Sequence, residues 1–394
     1  MQIPSARHDY KGGHHVELIK SGEPFFNAVE NLIDKSNHYI HFQAYIIDED
    51  ETGLRIIDAL IRAAGRGVRV YLLLDAFGTG YLTEGLINRI EKAGIFFRFF
   101  SPTLITKGFQ LSLRLHCKVV LADGQTAIIG GMNFADRYRG SATKKEWLDF
   151  AVLIRGPECA HVLNILKKQW NRTFSPKVEK SHETVHSVVT YEDDVKLKVT
   201  QNNWYRNKIE ILKSYRSAFR NSRDHMIILA SYFLPGRNER KLLREASHRG
   251  VKITIVLAAE SDAPMFKRAT RFLYEFILQN NIKIYEYLPS NLHAKVATAD
   301  GKWCTIGSYN LNHLSDYASV EMNVDIMDGE FTGHFEKILR KIIKDECRQV
   351  TIEDFSRRRT IFSRFSGWLS YQMIRSMMRI MYQLTSKRPK APSL

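Results

Sequence analysis

Apolar side chains at Phe26, Val29, Leu32 and Ile33 line one face of a predicted helix over 25–36, and residues 39–46 follow as a strand rich in β-branched and aromatic side chains. The alternation continues. The pattern predicts a helix over 53–64 broken at Gly67, a buried strand over 68–74, a helix over 82–93 and a strand over 95–100. A second series repeats this order with other side chains: helix 209–221, strand 225–232, helix 239–248, strand 251–257. Arg249-Gly250-Val251 even mirrors Arg66-Gly67-Val68. Later, 320–324 reads as a strand and 331–345 as a helix with Phe335, Ile338, Leu339 and Ile342 on one side. The expected fold class is α/β, two pseudo-repeated lobes of mixed sheet flanked by helices. The boundaries read as 1–174 for lobe 1, 175–195 for a charged Ser/Thr/His-rich connection, 196–350 for lobe 2 and 351–394 for a basic tail.

In that tail Leu369, Met373, Met377, Ile380 and Leu384 share one helical face, and Gln372, Arg375, Arg379 and Gln383 another. Phe365 and Trp368 stand near its start, which suits a helix lying in a membrane interface; a helix docked on its own lobe competes. Lobe 1 also carries ten more residues than lobe 2 ahead of its motif strand, around 103–112, with Leu104, Ile105, Lys107 and Phe109. These predict a loop that either packs on its lobe or faces membrane or substrate.

The chain has 394 residues, 44% of them hydrophobic, enough for two lobes of ordinary size. A net charge of +16 favours a polyanionic partner, either nucleic acid or an anionic bilayer. The four cysteines, Cys117, Cys159, Cys304 and Cys347, have no metal-ligand spacing and predict reduced thiols in a cytosolic setting. No run approaches the roughly 20 apolar residues of a spanning helix, and residues 1–11 lack the apolar core of a signal peptide, so the expectation is a soluble or peripheral protein. The acidic run Asp48-Glu49-Asp50-Glu51 reads as a solvated loop in preference to a metal site.

Chemistry concentrates in a motif that occurs twice. His116, Lys118, Asp123, Gly130 and Asn133 recur as His293, Lys295, Asp300, Gly307 and Asn310, each 177 positions later. One HxKxxxxD match is conceivable by chance, whereas two copies sharing the downstream Gly and Asn are far rarer. In a strand, residues two apart share a face, so His116 and Lys118 stand side by side while Cys117 points into packing. Asp123-Gly124 and Asp300-Gly301 are hairpin-turn dipeptides between that strand and the returning apolar runs. Gly130-Gly131 and Gly307-Ser308 predict main-chain amides meeting a phosphate oxygen, with Asn133 and Asn310 adding side-chain donors. One His, Lys and Asn from each lobe suit a single phosphodiester held between the lobes on a pseudo-twofold axis. Lys118 and Lys295 supply the positive charge there, so no metal or other cofactor is expected. One neutral imidazole attacks phosphorus and the other, protonated, serves the leaving alkoxide; the pseudo-symmetry leaves open which is which.

These motifs resemble the phospholipase D superfamily, whose bilobal members carry HxKxxxxD followed by GxxN twice. Their framing is similar to bacterial cardiolipin synthases of the type lacking N-terminal spanning helices, through Tyr45-Ile46, Gly130-Gly131-Met132-Asn133, Trp147-Leu148-Asp149, and Asn310-Leu311 with Ser315. Gly131 departs from the usual Ser. The resemblance implies a phosphatidyltransferase acting on phosphatidylglycerol and a second phospholipid, peripheral on the cytoplasmic face of the cell membrane. A phosphohistidine intermediate is expected, with His116 as nucleophile and His293 as acid/base. Ring-orienting acids are expected downstream of each His, at Asp149 after His116 and Glu321 after His293. Asp123 and Asp300 belong to the catalytic motif but read as turn and lobe-contact residues. A phospholipase D-type hydrolase needs the same residues, and a nuclease of the superfamily suits the charge but leaves the tail unexplained, which disfavours nucleic acid as the partner.

Overall fold

In a computed structural model of the chain, residues 9–100, 114–172, 179–185, 189–203, 208–312, 315–316, 318–357 and 360–386 are described. The predicted lobe 1 loop around 103–112 lies outside them. Lobe 1 runs β1 (Lys11–Lys20), α1 (Glu23–Asp34), β2 (Tyr39–Ala44), α2 (Glu51–Gly65), β3 (Arg69–Asp75), α3 (Glu84–Lys92), β4 (Phe96–Phe100), β5 (Arg114–Leu115), β6 (Lys118–Ala122), β7 (Thr126–Gly130), α4 (Asp136–Arg139), β8 (Phe150–Arg155) and α5 (Glu158–Arg172). Lobe 2 runs β9 (Val195–Asn203), β10 (Lys208–Ile209), α6 (Glu210–Asn221), β11 (His225–Ala230), α7 (Arg237–His248), β12 (Lys252–Ala258), α8 (Pro264–Phe272), α9 (Tyr274–Gln279), β13 (Lys283–Tyr287), β14 (Lys295–Ala299), β15 (Trp303–Gly307), β16 (Ser319–Ile326) and α10 (Gly329–Glu346). Then come β17 (Cys347–Val350), α11 (Ile352–Arg357) and α12 (Ile361–Ser386).

The two sheets have the same order. In lobe 1 it is β4-β3-β2-β6-β7-β8-β1, parallel over the first three strands and antiparallel thereafter. Lobe 2 repeats it as β13-β12-β11-β14-β15-β16-β9, with β17 added antiparallel beside β13. β1 pairs with both β8 and β9, so one strand joins the sheets. Alternate strand residues feed different cores. Val119 and Leu121 enter a central core with α5 and α10, containing Trp170, Phe150 and Phe335, while Val120 and Ala122 face the lobe's own outer helices. Lobe 2 has a matching outer core around Leu243, Tyr274 and Trp303.

Two sequence expectations change here, and the connection gains partners. Within 179–185, Glu183 binds the Arg69 guanidinium and the Tyr71 hydroxyl (both 2.8 Å) and Ser181 Oγ lies 3.0 Å from the His41 ring, tying the segment to the lobe 1 sheet. The acidic run is partnered instead of solvated. Asp48 meets Arg137 and Tyr81, Glu49 takes the Thr83 amide and hydroxyl, Asp50 caps α2 by accepting from Gly53 N, and Glu51 pairs with Arg139. The tail helix α12 docks one face on lobe 2, with Ile374 in its outer core, Tyr371 against Phe272 and Ser370 Oγ 3.3 Å from Arg268 Nε. Its other face leaves Phe365, Trp368, Leu369, Met373 and Met377 exposed. The side chains of Arg379, Ile380, Gln383 and Leu384 lie outside the described residues.

Candidate active site

Each motif strand is anchored at its far end by its aspartate. Asp123 and Gly124, and likewise Asp300 and Gly301, hold positive φ in tight turns closed by Gln125 N to Ala122 O and Lys302 N to Ala299 O (both 3.0 Å). The Asp123 carboxylate accepts from the amides of Asn37, His38 and Tyr39 at 2.8–2.9 Å, and Asp300 from those of Arg223, Asp224 and His225 at 2.9–3.1 Å. Each aspartate lies five positions beyond its lysine along the strand, about 17 Å. Asp123 and Asp300 therefore bind the start of β2 and β11 to the hairpin, and the expected lobe contact is not among their bonds.

At the other end of these strands the lobes interlock. His116 N and Cys117 N donate to Val320 O (3.0 and 2.9 Å), and His293 N donates to Leu148 O (2.8 Å) while Leu148 N donates to Asn291 O (2.9 Å). The segment entering each motif strand thus runs parallel to the start of the acid-bearing strand of the other lobe. This crossing decides the side-chain partners. His116 Nδ1 lies 2.9 Å from Glu321 Oε2, and His293 Nδ1 lies 2.7 Å from Asp149 Oδ2. The sequence pairs each acid with the His of its own copy; the structure exchanges them, because Val320 and Leu148 bring their next residues to the opposite ring.

The acids differ in their surroundings. Glu321 takes further hydrogen bonds from Ser308 Oγ (2.5 Å) and Ser319 Oγ (2.8 Å), whereas Asp149 takes one from Phe150 N (2.8 Å) and has Lys295 Nζ at 3.7 Å. Burial works against both carboxylates. It pushes Asp149 well above the usual range, while in Glu321 the charges of His116 and Lys118 and the bonds from His116 and Ser308 overcome it and hold the group below its ordinary value. Burial also lowers Lys118 to about 7 and Lys295 to about 8, opposed by Glu321 and Asp149. Both imidazoles are lowered by burial, His293 well below its ordinary value with Lys295, Lys118 and His116 adding to the effect. The Lys118 Nζ donates to His116 O (2.5 Å), and Lys295 Nζ donates to His293 O and stands 2.8 Å from His293 Nδ1.

The glycines do something other than expected. Gly131 N donates to Phe150 O (3.3 Å) and Ser308 N to Met322 O (3.1 Å), so these amides are spent on the neighbouring strand. A Cβ on Gly130 would stand 2.5 Å from Ala151 Cβ, and one on Gly307 2.3 Å from Met322 O, so both positions serve close strand approach. At Gly131 a Cβ would meet Asp149 Oδ2 at 2.5 Å, so the missing side chain makes room for the acid of His293. Asn133 and Asn310 are buried with Oδ1 unpartnered, and Asn133 Nδ2 donates to Tyr138 OH (2.9 Å), which lies 3.4 Å from His293 Nε2. Tyr138 and Tyr45 complete the cluster: their rings meet His293 and His116 edge-on, at 5.1 and 5.0 Å. Tyr138 has no sequence signal beyond proximity to Asn133, and Tyr45 entered the sequence reading only as part of the motif framing, with no role given to it.

Comparison with known proteins identifies the family. A family model described as cardiolipin synthase, PLD-like domain, matches residues 29–170 and 215–343. Cardiolipin synthase B of Escherichia coli K12 is 29% identical over 393 residues, covering 97% of this chain and 92% of that protein. Cardiolipin synthase B of Salmonella typhimurium LT2 is 28% identical over 378 residues, covering 93% and 89%. Cardiolipin synthase of Geobacillus kaustophilus is 27% identical, covering 91% of this chain and 73% of its own. Among solved structures, the phosphatidylserine synthase of Haemophilus influenzae superposes with a TM-score of 0.69 at 13% identity over 94% of both chains, a likeness of fold. With both lobes matched and the repeated motif held in one interlobe cluster, the chain belongs to the phospholipase D superfamily, in the cardiolipin synthase, PLD-like domain family.

Proposed function

We propose that this phosphatidyltransferase moves a phosphatidyl group from a phospholipid donor onto His116 and then to the hydroxyl of phosphatidylglycerol, forming cardiolipin. The observation that supports it is the crossed pair of His–carboxylate contacts from two lobes, set among two buried lysines. With Nδ1–H donating to Glu321, the neutral His116 ring keeps its lone pair on Nε2 for attack on phosphorus. The bond from phosphorus to the leaving alkoxide breaks as His293 gives that oxygen a proton. In the second half His293 takes the proton of the incoming hydroxyl, which displaces His116 from phosphorus. Burial and the two lysines disfavour a charged His293 in the resting site; the anionic phosphoryl group between those lysines offsets their charge and favours its protonated form. Lys118, Lys295, Asn133 and Asn310 steady the phosphoryl oxygens, and Tyr138 positions the His293 ring.

Among the described residues no helix is long and apolar enough to cross a membrane. We place the enzyme on an anionic membrane surface at the cytoplasmic face, held by its net positive charge and the exposed apolar side of α12. Purified protein given defined vesicles, followed by mass analysis of products, tests the activity. Cardiolipin that requires phosphatidylglycerol is the expected result. Phosphatidic acid as sole product would make it a hydrolase, and cleavage of nucleic acid without lipid turnover would move it to the nucleases.

A further inference from the structure

Beneath the start of α12 lies a cleft of about 370 Å³, within the roughly 300–1,000 Å³ of small-molecule sites. Arg268, Arg271, Arg348 and Arg364 line it over Phe272 and Phe355. Two carboxylates, Glu286 and Asp354, share the lining, so four guanidiniums leave two positive charges uncompensated. Glu286 is buried and takes hydrogen bonds from Arg271 (3.1 Å), Arg348 (2.8 Å) and Tyr274 OH (3.2 Å). That single carboxylate aligns two arginines whose side chains remain 49% and 48% exposed, each meeting it through one terminal nitrogen of a guanidinium that carries five N–H donors. Phe362 stands 79% exposed at the rim, next to exposed Phe365 and Trp368 on the same helix.

We propose that this cleft holds the head of an anionic phospholipid as a second lipid site, separate from the two-histidine centre. A guanidinium cluster recognises a phosphodiester by paired N–H donors, and the aromatic floor and rim accept the glycerol end and the first acyl methylenes. Neither feature alone selects a lipid. An apolar groove without charge suits any amphiphile and a bare arginine cluster suits any phosphate; here both line one cavity, beside a helix whose outer face is apolar. Glu286 lies on β13, with β12 and β11 between it and β14, where Lys295 begins the catalytic strand, a separation of about 14 Å. The inference rests on the reading of the chain as an enzyme of phospholipid surfaces, but it is read without turnover.

The test is hydrogen exchange on the full chain with soluble dihexanoyl phosphatidylglycerol below its micelle concentration. Protection is expected over 264–272, 348–357 and 360–372, unchanged by His116→Ala. Arg364→Glu, at an exposed position, should raise the half-saturating concentration about tenfold, and Arg268→Gln should raise it in the same direction. Protection that His116→Ala abolishes would assign the lipid to the catalytic centre and overturn the proposal. Equal protection by dihexanoyl phosphatidylcholine, by inorganic phosphate alone or by an oligonucleotide would overturn it as well, since the first lacks the net negative charge and the other two lack the acyl end. Failure of cardiolipin synthesis with cleft protection intact would count against the proposed reaction and leave the cleft standing.

Discussion

Gly131 and Ser308 occupy matching places in the two motifs, yet one makes room for a carboxylate and the other donates to one. The pseudo-twofold is broken at the residue that tunes each acid. Removing the Ser308 hydroxyl in Ser308→Ala takes away a donor that favours ionised Glu321, so its pKa rises. The acid limb of the kcat/KM profile should then move to higher pH while the alkaline limb, set by Lys118 near its lowered value of about 7, stays in place. A profile that drops uniformly without moving would leave Ser308 a packing residue. Either histidine changed to Ala should lower turnover by about 10²–10⁴-fold, but only His293→Ala keeps the attacking ring and should accumulate an acid-labile phosphatidyl adduct. An adduct found on His293 in the His116→Ala protein would reverse the roles. The His, Lys and Asn positions were readable from spacing because the whole pattern recurs at one offset of 177 residues. The ring contacts of Tyr45 and Tyr138 were not, since an aromatic residue in a buried stretch carries no mark of what its ring will touch.

At the scale of elements, α12 combines two readings that the sequence set against each other. Gly367, Ser370, Tyr371 and Ile374 follow a helical stripe that packs on lobe 2, with Ile374 only 1% exposed, while Leu369 and Met373 remain 41% and 54% exposed. Periodicity pointed to the second stripe because Gly and Ser do not register as apolar, although small residues are what let a helix approach closely. Ile374→Ala should therefore lower stability by about 2–4 kcal/mol in denaturant unfolding. The pair Leu369→Asp and Met373→Asp should keep the melting temperature and weaken sedimentation with phosphatidylglycerol vesicles. Unchanged vesicle binding in that pair would remove the membrane role from this face. Truncation before α12 is a poorer probe than these substitutions, since it also strips cover from Phe272 and the lobe 2 core. The strands β1 and β9 at the junction of the two sheets, each paired on both sides, were the elements least legible beforehand. β9 does alternate Val195, Leu197 and Val199 with lysines, but β1 opens on two glycines and two histidines and becomes a strand through its partners β8 and β9.

For the whole molecule, the exchange of acids between lobes makes the site inseparable from the interlobe contact. It also makes a prediction that pairing within each copy would invert. Asp149→Asn removes the partner of His293 and should resemble His293→Ala, slowing the proton-transfer steps so that the covalent adduct accumulates. Glu321→Gln removes the partner of His116 and should resemble His116→Ala, with little adduct formed. Rapid-quench measurement of adduct in the two proteins checks this; adduct accumulating in Glu321→Gln and absent in Asp149→Asn would refute the crossed assignment.

What the sequence determined by itself follows from local periodicity. A motif repeated at a constant offset of 177 requires two like α/β lobes, whereas the expected strand alternation does not reach the histidines, which lie two residues ahead of the lysines that open β6 and β14. Its Asp-Gly turns likewise announce the hairpins, because positive φ at both residues suits few other dipeptides. Tertiary structure decided which carboxylate serves which imidazole, across 205 and 144 residues of chain, because that pairing arises from backbone hydrogen bonds between segments of different lobes that no local pattern encodes. It decided as well that the motif glycines admit a neighbouring strand and a carboxylate instead of a phosphate, since the space beside a glycine belongs to whatever the fold brings there.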